Sequence, residues 1–382
     1  MNWRSALASL LGVMVSFTPA AGATLEEMVA SLQRLQVRET AGDKAAYDAQ
    51  APLVRSIGEK LADRDAASED GRTIATIVYL LNGGAPGGVV RLVREKAFAA
   101  KNEMLVKGVL AYTQGHATEA VAAIGDVDPK TLDLRIAAHI CFILSVLQQD
   151  RGYARSVELL DFARLLAPGG LIEEASIRRE TTLAAEAGDS DRLLSLTRQY
   201  LARFGQSLFL DKYLLSLMTT LGASRLSTEP RFIDRLDEAI APLPAARRED
   251  LLLSIARAKL LEGAYPAAEA AAGKALRAVP DDAGKNARGR LYRGVAHALA
   301  NGLDGSFGDL DAIVGDTLPP QDQLILSLAR RLFSDVHAWA ATPEAIADPP
   351  SDSLSAMYVA TIDAGKSLLE RTAALGAAER AR

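Results

Sequence analysis

Apolar residues recur every three or four positions along most of the chain, the period of a helix with one face against a core. Leu25, Met28, Val29, Leu32 and Leu35 share one face. Ile74, Ile77, Val78 and Leu81 share another, and that run stops at Gly83-Gly84. No sustained apolar/polar alternation lies between hairpin turns, so strands are not expected. The pattern predicts about sixteen helical stretches, most of them 10 to 20 residues long, separated by Gly, Pro or Asp.

Within this pattern, small residues recur where paired helices would touch. In the best unit, Leu251 to Asp282, Ala256 takes the first close-contact position and Gly263 and Tyr265 make the turn. Ala268 and Ala275 follow on the second helix, which Pro280 ends. Leu144 to Pro168 repeats the scheme with Gly152-Tyr153 at the turn and Ser156 and Ala163 beyond it. Gly108, Gly115 and Ala120 mark a third unit, and Gly294, Gly302 and Ser306 a weaker fourth. The matching positions Ala120, Ser156, Leu193, Ala268 and Ser306 are separated by 36, 37, 75 and 38 residues. That is slightly longer than the roughly 34-residue tetratricopeptide period. The expected fold is all-α: a tetratricopeptide-like helical-hairpin solenoid with an N-terminal helical cap and a C-terminal docking helix. An irregular helical bundle is the alternative.

Composition fits that picture. Of the 382 residues, 49% are hydrophobic and only 5% aromatic, much of the apolar share being Ala and Leu. Those residues lose little on entering a helix, and Ala lets helices approach closely. The net charge of −5 lacks the basic footprint of a nucleic-acid binder. The single cysteine, Cys141, sits in an apolar run and cannot form an internal disulfide, so packing alone must hold the fold.

The first residues read as an address. Met-Asn-Trp-Arg precedes an apolar run from Ala6 to Phe17, then Pro19 and Ala21-Gly22-Ala23. A positive start, a short hydrophobic stretch and small residues describe a signal peptide, here 1–23 with cleavage after Ala23. Thr24-Leu25-Glu26-Glu27 then opens a capped helix. The expectation is an exported chain without a transmembrane segment after cleavage. An uncleaved membrane anchor is the competing reading.

Chemistry is sparse. His116, His139, His297 and His337 have no second ligand at zinc spacing. His139 and Cys141, two apart on a helix, face away from each other. Gly365-Lys366-Ser367 resembles the end of a phosphate-binding loop, but position 360 is Ala and the surroundings read as helical. Gly188-Asp189-Ser190 lies between two helical segments, where Asp189 or Ser190 reads more simply as an N-cap than as part of a hydrolase nucleophile. A lytic enzyme built on a helical solenoid would need a separate catalytic domain, for which no segment remains. No catalytic residue, cofactor or metal is expected.

One stretch is more specific. Leu165-Leu166-Ala167-Pro168-Gly169-Gly170-Leu171-Ile172-Glu173-Glu174-Ala175-Ser176-Ile177-Arg178-Arg179-Glu180 resembles the MotC family. Gln199 to Ser207 and Tyr79 to Gly84 extend the likeness, which runs in order over about residues 45 to 340. The resemblance implies a non-enzymatic periplasmic protein of the flagellar motor. Such a protein binds the periplasmic part of the stator protein MotB and supports its folding, localisation or orientation. The family brings no catalytic residues. Partner-binding candidates from the family-like stretch are Arg178, Arg179, Tyr200, Arg203 and Phe204, since Arg and aromatics dominate binding hot spots. The simpler reading makes Tyr200 and Phe204 a core stripe and pairs Arg178-Arg179 with Glu173, Glu174 or Glu180 of their own helix. A general periplasmic scaffold for envelope assembly is the alternative function. The expected organisation is a leader (1–23), an N-terminal helical region (24–97), a degenerate solenoid (98–340), a linker (341–353) and a C-terminal helix with a frayed end (354–382).

Overall fold

The first helix starts where its capping residues require. In the computed structural model, the Glu27 N–H donates to Thr24 Oγ1 at 3.2 Å and the Thr24 N–H donates to Glu27 Oε2 at 2.8 Å. This reciprocal box satisfies two backbone donors that a helix start leaves open. The structure describes residues 22–63, 67–278, 283–301 and 310–340. Most of the expected leader, Pro280, Gly302, Ser306, the 341–353 linker, Gly365-Lys366-Ser367 and the 354–382 helix lie outside them.

The described residues form sixteen α-helices and no strand. Helices α1 (Leu25–Thr40) and α2 (Lys44–Leu61) pair across a three-residue turn whose last member, Asp43, caps α2. Next come α3 (Glu69–Leu81), α4 (Pro86–Arg94), α5 (Ala100–Thr113), α6 (Ala117–Ile124), α7 (Leu134–Leu147) and α8 (Tyr153–Leu166). They are followed by α9 (Leu171–Ala187), α10 (Ser190–Phe204), α11 (Leu210–Ala223), α12 (Pro230–Ala239), α13 (Ala245–Glu262), α14 (Tyr265–Ala278) and α15 (Ala283–Asn301). A helix α16 (Pro320–Ala340) belongs to a second compact unit that begins at Leu310.

In the first unit, helices pack on the next in sequence and on the one after that, as hairpins stacked in series do. The residues singled out by spacing form these contacts. Ala120, Ser156, Ala163, Leu193, Ala256, Ala268 and Ala275 are all buried. The α5–α6 approach is so close that a Cβ on Gly108 would collide with Ile124 Cγ2. Gly263 ends α13 at φ 88°, a left-handed cap that a side chain would strain. Asp189 is the N-cap of α10, accepting from the Arg192 N–H at 3.0 Å.

Contacts of α3 with α7 and, over a longer span, of α1 with α9 break the serial order. A cap at the end of a solenoid meets only its sequence neighbour, yet α1 also packs on α9, eight helices later. Thr40 Oγ1 shares its proton between the Val37 carbonyl at 2.8 Å and the Gly169 carbonyl at 3.0 Å. A Cβ on Gly42 would sit 2.5 Å from the Gln206 carbonyl oxygen. The α1–α2 hairpin is therefore seated on the family-like stretch itself, which creates both features described next.

Candidate interaction groove

Where α1 meets α7 and the α8–α9 loop, the helices leave a groove of about 370 Å³. The loop exists because Pro168 has no N–H to continue α8, and Gly169 turns the chain at φ 75°. It is held from both sides. The Gly169 N–H donates to Glu173 Oε2 at 2.5 Å, and the Gly169 carbonyl accepts from Thr40. Glu173 is in turn paired with Arg203 at 2.8 Å.

The groove is apolar at its lips. Leu134 stands 70% exposed and Val37 48%. Leu166, Leu171 and Ile172 continue the apolar lining. His139 lies on the floor, buried, and burial pushes its imidazole down to about 4, so it is neutral at physiological pH. Apolar residues this exposed around one concavity are the usual mark of a protein-binding surface. Two other depressions differ in kind. The one beside α14 and α15 is lined by charges that pair with one another, such as Lys274 with Asp234 at 2.9 Å. The one between the α9 and α11 ends mixes small and polar residues.

Beneath the loop runs a seam of buried carboxylates. Glu174 is fully buried; Tyr200 Oη donates to its Oε1 at 2.7 Å, and its Oε2 finds no hydrogen-bond donor among the described residues. Glu39 is 1% exposed and accepts from Gln50 Nε2 at 2.5 Å. Burial holds the Glu39 carboxyl above the usual range; the Gln50 bond opposes this and the Glu174 charge adds to it. Tyr200 stacks on Tyr213 with ring centroids 3.7 Å apart, and Tyr213 Oη donates to Thr197 Oγ1 at 3.2 Å.

A pH dependence follows. Because its folded-state pKa is raised, Glu39 keeps a proton in the folded state that the unfolded chain has already lost. Its contribution therefore falls as pH rises from the unfolded carboxyl value through the raised one, and returns on acidification. Glu39→Gln is expected to melt higher than the parent at pH 7 to 8, with the gap closing as pH falls through that window. A variant that melts lower across the whole range would contradict the assignment.

The five candidates chosen from sequence are not gathered into one surface. Tyr200 and Phe204 are buried, as the core-stripe reading describes, and present no area to a partner. Arg178 stacks over the Phe209 ring at 5.0 Å, and Arg179 donates to the Ser145 carbonyl at 3.1 Å. Neither makes the same-helix ion pairs expected for them. Those glutamates turn elsewhere: Glu173 to Arg203, Glu174 to Tyr200, and Glu180 to Arg164 and Arg192. Arg203, 48% exposed, lies beside the groove loop through Glu173. Sequence reasoning missed Val37 and Leu134. The available signal was Leu134 between Asp133 and Arg135, an apolar residue with a charge on either side.

The family model described as chemotaxis protein MotC matches residues 2–380. A curated relative, chemotaxis protein MotC of Rhizobium meliloti (strain 1021), is 25% identical over 350 residues, covering 89% of this chain and 80% of its own. Among solved structures, the TPR domain of P58(IPK) aligns over 76% of this chain and 82% of that one, at 14% identity and a TM-score of 0.25. The hairpin architecture rests on this chain's own helix pairing.

Proposed function

The chain belongs to the MotC family of chemotaxis proteins, and we propose that it acts without catalysis in the periplasm, holding the periplasmic part of the stator protein MotB in a folded, correctly placed or correctly oriented state. The observation that carries this reading is the preformed groove with Val37 and Leu134 at its lips. A loop pinned at Gly169 from two sides loses little further freedom on binding, which favours affinity. Export is supported by the first 23 residues. Among the described residues, no helix is long and apolar enough to cross a membrane. Arg203, tied to the groove loop through Glu173, is the polar candidate, with Arg178 and Arg179 as further ones.

The test is co-purification of the full chain with the periplasmic part of MotB, alongside Leu134→Asp and Val37→Asp. Each is expected to weaken capture by at least about tenfold, since charging the centre of an apolar contact costs about 2 kcal/mol or more. Melting temperature should hold, because the two side chains are 70% and 48% exposed. Undiminished capture by both variants would remove the groove from the interface. A deletion strain separates the two functions: immotile cells with intact flagella support the motor, whereas normal swimming with envelope defects supports a general scaffold.

A further inference from the structure

The groove has a polar floor under its apolar lips. His139, 8% exposed, lines it together with Leu166, Leu171 and Ile172. Burial keeps the ring uncharged, and the Arg135 carbonyl one turn earlier only partly opposes that. Even so, His139 Nδ1 completes no hydrogen bond among the described residues. Buried polar atoms nearly always have partners, and leaving one without is costly. A group that enters the groove and offers a hydrogen bond at this depth would remove that cost.

The charge balance of the lining says what that group is. Arg135 is the charged residue there, and Asp133 neutralises it through two bonds, Nε to Oδ1 at 2.8 Å and a second guanidinium nitrogen to Oδ2 at 2.7 Å. The Gln36 amide is likewise committed, donating to Asn82 Oδ1 at 2.5 Å. A charge on the entering group would lose its water and meet no free counter-charge. An apolar side chain would instead bury itself against Val37 and Leu134 at the lips. At the floor, a neutral imidazole offers one donor and one acceptor, and a peptide group can match either. We infer that the groove takes an uncharged, apolar peptide segment of the partner, and that His139 selects it through a hydrogen bond to one of its peptide groups. The inference rests on the reading of the groove as the MotB contact and specifies which kind of MotB segment enters it.

Capture of the periplasmic part of MotB by the full chain tests it. His139→Leu removes the orphaned nitrogen, so it should melt no lower than the parent, yet weaken capture at least about fivefold. His139→Gln keeps a donor and an acceptor and should recover most of the loss. A merely structural histidine would instead lower melting temperature and capture in step. Parental capture by a folded His139→Leu, or a loss that a folded His139→Gln does not recover, would overturn the role of His139. A second measurement leaves His139 in place. Leu134→p-benzoylphenylalanine puts an apolar photocrosslinker at the lip, and the crosslinked part of MotB is mapped by mass spectrometry. The expected site is an apolar stretch free of Asp, Glu, Lys and Arg. Crosslinks to a charged stretch, or none while MotB is still captured, would overturn the inference. Failure of the underlying reading looks different: the folded parent chain itself would retain no MotB.

Discussion

Tyr200→Ala is expected to leave the protein largely unfolded or insoluble. Removing a buried aromatic ring costs about 3–5 kcal/mol through lost burial and the cavity left behind. Here the ring is 0% exposed and stacks on Tyr213 at 3.7 Å. Its hydroxyl also makes the bond to Glu174 Oε1, so truncation leaves a buried carboxylate without that donor, a further loss of about 1–3 kcal/mol. The sum is comparable with the whole stability of an ordinary domain, about 5–15 kcal/mol. Tyr200→Phe separates the two contributions. It keeps the stack and loses only the bond, for an expected cost of about 1.5–3 kcal/mol. Denaturant melts of both variants check this. A Tyr200→Phe protein within about 0.5 kcal/mol of the parent would mean that Glu174 does not depend on that hydroxyl.

The second large effect lies nearly two turns beyond Glu174 on α9. Glu180, fully buried, accepts from Arg164 of α8 at 3.0 Å and from Arg192 of α10. Asp161 completes the cluster, pairing with Arg164 at 2.9 Å and Arg192 at 2.6 Å. Three consecutive helices are thus tied at a single carboxylate. Glu180→Ala is expected to cost about 3–5 kcal/mol, because two guanidinium groups lose their buried counter-charge. Asp161, 43% exposed, still screens them and pulls the value toward the lower end. Asp161→Ala should cost under about 1 kcal/mol and become weaker still in salt. Urea melts at low and high salt test the contrast: Glu180→Ala should be nearly salt-independent. Equal costs for the two substitutions would refute the view that burial sets the strength of this cluster.

Glu180, and the Glu174 that Tyr200 holds, lie on α9, the helix that follows the groove loop. Loosening α9 would free Glu173 and with it the Gly169 anchor, so the proposed capture of MotB should fail together with folding in these variants. In Leu134→Asp and Val37→Asp, capture should fail alone.

Much of the scaffold was legible from residues near one another in sequence. Thr24 and Glu27 announce the first helix, Gly263 ends α13, and the spacing of Ala120, Ser156 and Ala268 marks where hairpins close. The family-like run from Leu165 to Glu180 was legible too, but the roles of its side chains were not. Tyr200 and Phe204 share a stripe whether they face a core or a partner, and Arg178 lies over the Phe209 ring and makes none of the same-helix ion pairs expected for it.

The sequence by itself determined the helices, their caps, the degenerate hairpin repeat and the family. All of these rest on interactions within a turn or two of the chain, or on a pattern that repeats along it. Only the tertiary structure decided that α1 returns to α9, and with that return came the groove and the buried Glu39–Glu174 seam. The groove joins residues near 37, 134 and 168, and no periodicity links segments so far apart. Whether a glutamate there is solvated, paired or buried depends on which helix arrives beside it.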